Sequence, residues 1–195
     1  GTLTVLPRPR VIVVSTGTEL KRAGEALERG QIPDSNGVLL RGLVEEAGGR
    51  VVAHLRTGDT PEELRRMVEL CIKHRVVLFS DEIHSDLIFH GKKHIPTATL
   101  SPEIAANVIT GISGTKTFNL AGLQVANILI VDARLREALR RVVECVHHEE
   151  CLHGEAVVAC VPVVARVLAL AQGAVDVGVA TGVLVCHARL PSMAE

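Results

Sequence analysis

"DTPEELRRMVELCIKHRVVLFSDEI", Asp59 to Ile83, sets the class of fold. Its first part has the marks of a helix with a defined start. Thr60 suits a cap, Pro61 suits the first helical position, and Glu63 stands where a capping box places its acid. Leu64, Met67, Val68, Cys71 and Ile72 recur at helical spacing and form an apolar stripe. The second part, Val76 to Ile83, is an apolar run ending in polar residues, the pattern of a strand covered on both faces. Helix followed by buried strand is the alternation from which parallel sheets are built.

The alternation extends both ways. Upstream, "RVIVVSTG" (Arg10–Gly17) is a β-branched run that ends in glycine, and "RVVAHLR" is a second strand. Between them, "DSNGVLLRGLVEEAGG" predicts a helix capped by Asp34 or Ser35. Val38, Leu39, Leu43, Val44 and Ala47 are its apolar positions, and Gly48 and Gly49 stop it. Downstream come a short helix at "SPEIAAN", strands at "VITGIS" and "VANILIVD", and an amphipathic helix at "ARLREALRRVVECVHHEE". An apolar helix from Ala156 to Val175 and a last strand at "GVLVCHARL" complete the chain. The expected fold is α/β, a three-layer, doubly wound, mostly parallel sheet with helices on both faces, in a single domain over residues 1–195. Residues 141–195 read as a helical part with an edge strand.

Composition narrows the function. The chain has no Trp, no Tyr and only three Phe, so its core is aliphatic and aromatic platforms for nucleic acid are missing. A formal net charge of -1 provides no basic field for nucleic acid or an anionic membrane. Ala156–Val175 contains Pro162 and Arg166 and reads as a buried helix, not a membrane span. Five cysteines without a C-x-x-C pair, and a start without a signal-peptide core, point to the reducing cytoplasm. The opening glycine reads as the start of a fragment or a processed chain.

Ligands of open α/β sheets bind at the carboxyl ends of the strands. Asp81 follows one strand and Lys116 another, so both are expected on that edge. An aldehyde cofactor such as pyridoxal phosphate needs an amine for an imine, a carboxylate for its pyridine nitrogen, and phosphate donors. Lys116, Asp81 and the pair Ser113 and Thr115, with Gly114 between them, supply these groups. A lysine taken alone is more often a solvated loop residue.

"SDEIHSDLIFHGKKHIPTATLSPEIAANVIT" followed by "SGTKTFNLAGLQ" resembles the cystathionine β-lyase branch of fold-type I pyridoxal-phosphate enzymes, over residues 60–140. The resemblance implies that Lys116 is the Schiff-base lysine, Asp81 the partner of the ring nitrogen and Ser113 a phosphate ligand. It places His84 near the ring hydroxyl, and Gln124 where true aminotransferases carry a phosphate-binding arginine. It implies an amino-acid substrate, carbon–sulfur β-lyase or aminotransferase chemistry, and a homodimer. The family's upstream glycine-rich turn, stacking aromatic, Asn loop and small domain are not visible. An incomplete enzyme is therefore expected.

Residues 6–69, through "STGTEL" and "QIPDSNG", resemble instead the molybdopterin-binding domain of molybdopterin molybdenumtransferase. The resemblance implies that Thr16, Gly17, Glu19, Asp34, Ser35 and Asn36 line a molybdopterin site. On the plainer reading, "STGTEL" is a strand exit and "DSN" a helix cap. "LHGEAV", with His153, resembles 3-dehydroquinate synthase. Around it, Cys145, His147 and Cys151 cannot share one helix face, so no metal site is expected and the stretch reads as a solvated helix end. A chain that resembles several families in turn is read as a chimera, natural or designed, and a catalytically silent α/β scaffold is the remaining alternative.

Overall fold

The computed structural model describes residues 2, 8–58, 60–88, 93–120, 126–146 and 182–187, with 142–146 and 182–187 described for their backbone alone. The elements, in chain order, begin with strands β1 (Arg10–Thr16), β2 (Leu20–Lys21) and β3 (Ile32–Pro33), then helix α1 (Ser35–Glu46) and strand β4 (Arg50–Thr57). Helix α2 (Pro61–Lys73) leads into β5 (Val77–Asp81), and a 3-10 turn at Thr97–Thr99 precedes α3 (Pro102–Ala105) and β6 (Val108–Ile112). Then come α4 (Gly114–Thr117), β7 (Asn127–Ile130), α5 (Ala133–Val146) and β8 (Gly182–His187).

The main sheet has six strands in the order β4-β1-β8-β5-β6-β7. Every pairing in it is parallel except β6 with β7. The small β2–β3 pair forms in the segment between β1 and α1. One face of the main sheet packs Val11, Val13, Phe79 and Ile109 against Leu40 and Val44 of α1 and Leu135 of α5. The other packs Val14, Leu78 and Val108 against Val68 and Cys71 of α2 and Ile104 of α3. Successive strand residues point to opposite faces, so one aliphatic run feeds both layers. The three-layer, mostly parallel α/β architecture is the one expected from the sequence.

Local signals set several element ends. Thr60 Oγ1 accepts from the Glu63 amide at 3.3 Å and donates to Glu63 Oε2 at 2.7 Å, a variant of the capping box in which hydroxyl and carboxylate meet directly. Of the two candidates for the α1 cap, Asp34 takes the role and accepts from Gly37 N at 2.9 Å.

Two expectations need correction. The buried stripe of α1 is Gly37, Leu40 and Val44, whereas Val38 and Leu39 are 60 % and 49 % exposed. Gly37 has to face inward, because a Cβ there would meet the His54 ring at 2.1 Å, and that rotation turns Val38 and Leu39 out. The last strand, β8, is no edge strand. It runs parallel between β1 and β5, level with Ser15 and Asp81 at His187. A continuous apolar run such as "GVLVC" suits an interior strand of a parallel sheet, where helices cover both faces. Among the described residues no helix is long and apolar enough to cross a membrane, and Ala156–Val175 lies outside them.

Candidate functional site

The carboxyl edge of the parallel strands collects the polar residues of the sheet. Asp81 ends β5 and is 4 % exposed. It stands level with Gly111 of β6, and Glu82 N extends that ladder by donating to Gly111 O at 2.8 Å. The Ile83 amide donates to Asp81 Oδ1 at 3.2 Å, which fixes one carboxylate oxygen as the chain turns away. His84 follows, half-buried, in the same turn.

Beyond Gly111, β6 ends at Ile112, and Ser113 caps the one-turn helix α4, in which Lys116 lies half-buried. Ser113 Oγ accepts from the Thr115 amide at 3.1 Å and lies 2.6 Å from Thr115 Oγ1. The adjacent parallel strands thus deliver a carboxylate and an amine-bearing turn to one rim. Thr117 Oγ1 donates to Asp86 Oδ2 at 2.9 Å, which ties that turn to the loop leaving Asp81. Gln124 and Phe89 lie outside the described residues. Phe79 is buried in the core, while Phe118, two positions after Lys116, is 70 % exposed and so accessible to a planar ligand.

Sequence reasoning missed the polar cluster behind Asp81. Glu82 is buried, and its Oε1 accepts from Ser80 Oγ at 3.0 Å and from Thr97 N at 3.0 Å. Its Oε2 lies 2.7 Å from His94 Nε2. Because the Ser80 hydrogen goes to Glu82, Thr97 Oγ1 donates to Ser80 Oγ across 2.9 Å. The available signal was alternation, since Ser80 and Glu82 fall on the face of β5 opposite Asp81.

At the other end of the sheet the same rim carries the second candidate set. Thr16 is fully buried, and Gly17 adopts φ 138°, open only to glycine. Glu19 folds over it, so that a Cβ at Gly17 would lie 2.6 Å from Glu19 Oε2. Asp34 is engaged twice, capping α1 and placing Oδ2 3.0 Å from His54 Nε2, which also lies 3.2 Å from Ser15 Oγ. Ser35 and Asn36 are exposed in the first turn of α1. This geometry holds β1, β4 and α1 together, as a strand exit and a helix cap do. Serine and aspartate both address the same imidazole nitrogen, so the trio is no relay of the nucleophilic kind, which needs both ring nitrogens.

The stretch from His147 through Cys151 to His153 lies outside the described residues.

Comparisons with known proteins divide the chain as its rim is divided. Residues 57–161, more than half of the chain, match the family described as aminotransferase class I and II. Residues 12–80 match the family described as a probable molybdopterin binding domain. Over 77 residues the chain is 49 % identical to cystathionine beta-lyase PatB of Bacillus subtilis (strain 168), covering 40 % of this chain and 20 % of that protein. Over 57 residues it is 51 % identical to molybdopterin molybdenumtransferase 2 of Mycobacterium tuberculosis (strain CDC 1551 / Oshkosh), covering 29 % of this chain and 14 % of that one. The chain therefore spans a fifth or less of the length of these relatives. Among solved structures, a PLP-bound putative aminotransferase from Clostridium difficile 630 matches with a TM-score of 0.54 at 20 % identity, over 87 % of this chain and 46 % of that one. That likeness shows a shared α/β fold.

Proposed function

The chain belongs to the aminotransferase class I and II family, and on that premise we propose that it binds pyridoxal phosphate at the rim shared by β5 and β6, as an incomplete enzyme of the carbon–sulfur β-lyase or aminotransferase type acting on an amino acid. The observation that carries this reading is the pairing of Asp81 with Gly111 on adjacent parallel strands, which brings the buried carboxylate and the Lys116 turn to one edge.

The residues present fit the group. Asp81 brings a buried carboxylate to the rim for a ring N–H, and the Ser113 and Thr115 hydroxyls suit a phosphate once they turn from each other. Gln124 would add a donor, and His84 would face the ring hydroxyl. When bound, pyridoxal phosphate supplies an electron sink for the carbon next to the substrate amine. Lys116 would hold the aldehyde covalently through Nζ and, once displaced by substrate, take the α-proton at the same atom. Asp81 would orient the ring from its nitrogen. In lyase chemistry Lys116 Nζ, having taken the α-proton, would also be the group to return a proton as the β-thiol departs.

Support for a homodimer comes only from family likeness, and the cytoplasm is the compartment that fits the cysteine pattern. We further propose a single domain over 1–195, with segment 6–69 of molybdopterin-binding type and 60–140 of aminotransferase type.

Absorbance titration of the purified chain with pyridoxal phosphate tests the proposal. The visible band of a conjugated protonated imine is expected, removed in Lys116→Ala and weakened in Asp81→Asn. No band in the unsubstituted chain would end this reading. The second reading, a molybdopterin or oxyanion site at Thr16, Gly17, Glu19, Asp34, Ser35 and Asn36, is favoured by the match over residues 12–80. Protection against thermal unfolding by molybdate, lost in Gly17→Val, would support it. Neither response would leave a silent scaffold.

A further inference from the structure

The cluster of Ser80, Glu82, His94 and Thr97 is built like a site, on the face of β5 opposite the one to which alternation assigns Asp81. Glu82 is a buried carboxylate with both oxygens engaged, by Ser80 Oγ and Thr97 N on Oε1 and by His94 Nε2 on Oε2. Burying a carboxylate is costly unless it is hydrogen-bonded, so losing one of these partners would disturb the strand end that carries it. Its side chain lies on the face of β5 that carries Leu78, packed against α3, while alternation puts Asp81 on the Phe79 face. The same residue's amide bonds Gly111 O, and the next amide bonds Asp81 Oδ1. Side chain and backbone of Glu82 thus anchor the strand end from the two directions that decide where Asp81 points.

We propose that Glu82, held by His94, is the positioning residue for Asp81: the buried carboxylate and its half-buried histidine clamp the end of β5 from the α3 side so that the Asp81 carboxylate is fixed on the opposite face of the rim. His94 reaches Glu82 from twelve residues further along the chain, so the bond is a tertiary hold on the strand end. Thr97, through its amide and hydroxyl, completes the attachment on the same side. The role in cofactor binding rests on the function proposed above, whereas the clamp itself is read independently of any cofactor.

The experiment uses the full chain and the variants His94→Leu and His94→Gln. Glutamine offers an N–H close to the position of the imidazole ε nitrogen, and leucine offers none. Amide hydrogen exchange at Ile83 reads the hold on Asp81, and exchange at Leu40 of α1 serves as the reference for global opening. His94→Leu is expected to speed exchange at Ile83 at least about tenfold relative to Leu40, the scale of one hydrogen bond to a charged group, with His94→Gln close to the parent. Pyridoxal phosphate is expected to bind at least about tenfold more weakly to His94→Leu. The pH at which the bound cofactor's absorbance changes should move in that variant and return in His94→Gln, a signature that loss of stability alone does not produce.

Unchanged protection of Ile83 in His94→Leu overturns the proposal whatever the cofactor does. Faster exchange with unaltered affinity and unaltered pH response overturns the positioning role. If the parent chain takes up no pyridoxal phosphate, the functional reading falls, and the Ile83 result alone decides whether the clamp exists. Should His94→Leu open globally, Leu40 and Ile83 exchange alike, and Glu82→Gln, which keeps the side chain's shape, is then judged by the same two amides.

Discussion

Thr117 donates its hydroxyl hydrogen to Asp86 Oδ2 across 2.9 Å, joining the turn that carries Lys116 to the loop that leaves Asp81. The bond is exposed, so its net worth to folding is small, about 1 kcal/mol. Its worth to a ligand that needs both segments at once is the same energy applied at the rim. Thr117→Val is therefore expected to leave the unfolding temperature within about two degrees of the parent and to weaken pyridoxal phosphate binding about three- to tenfold. Titration of the two proteins side by side checks this, and equal affinities would remove the tie from the site.

Phe79 is the large side chain at the centre of the core cluster shared by β1, β5 and β6. Its ring passes under Gly111, where an added Cβ would lie 3.2 Å from the ring edge. Phe79→Ala should cost about 3–5 kcal/mol and lower the unfolding temperature by roughly ten degrees or more. A loss near zero would mean that the sheet is packed differently at the level of Asp81.

Acid should loosen α5. Arg140 and Arg141 hydrogen-bond Glu137 and hold its carboxyl down at about 2. Burial pushes Asp132 up, but the Leu135 and Arg134 amides and the Arg134 guanidinium outweigh it and leave it lowered. Both groups are depressed in the folded state, so the stability they contribute is present above the unfolded carboxylate range and is lost as pH falls through the folded values. Unfolding temperature measured from pH 5 to about 2 should fall, less steeply in Glu137→Gln, with a difference that shrinks in high salt. Parallel curves would contradict the pairing.

Cys71 is buried in α2 against the sheet, and desolvation pushes its thiol up to about 11. The thiolate is the reactive form, so at pH 8 the folded chain should resist iodoacetamide at Cys71 while the urea-unfolded chain reacts readily. Mass mapping after a timed exposure checks this. Equal labelling in both states would place α2 away from the sheet.

How far the sequence announced all this differs by element. The α2 start was legible because Thr60, Pro61 and Glu63 are a local signal, and it forms where they stand. The buried strands β1, β5 and β6 were legible as aliphatic runs with polar ends. The central place of β8 was not, because pairing between strands far apart in the chain leaves no trace in local periodicity. The facing of α1 was misjudged because the size of Val38 and Leu39 outweighed Gly37, whose lack of a side chain against His54 settles the rotation. At the rim, Asp81 and Lys116 could be nominated from their places after strands. Alternation could set Glu82 opposite Asp81, but its meeting with His94 is a tertiary contact that local pattern does not announce.

The most direct test of the central claim is to mix the full chain with pyridoxal phosphate, reduce with borohydride and map the modified peptide. The account predicts a pyridoxyl group on Nζ of Lys116 at close to one per chain, with uptake falling in Asp81→Asn. Modification scattered over surface lysines, or equal uptake by Lys116→Ala, would contradict it.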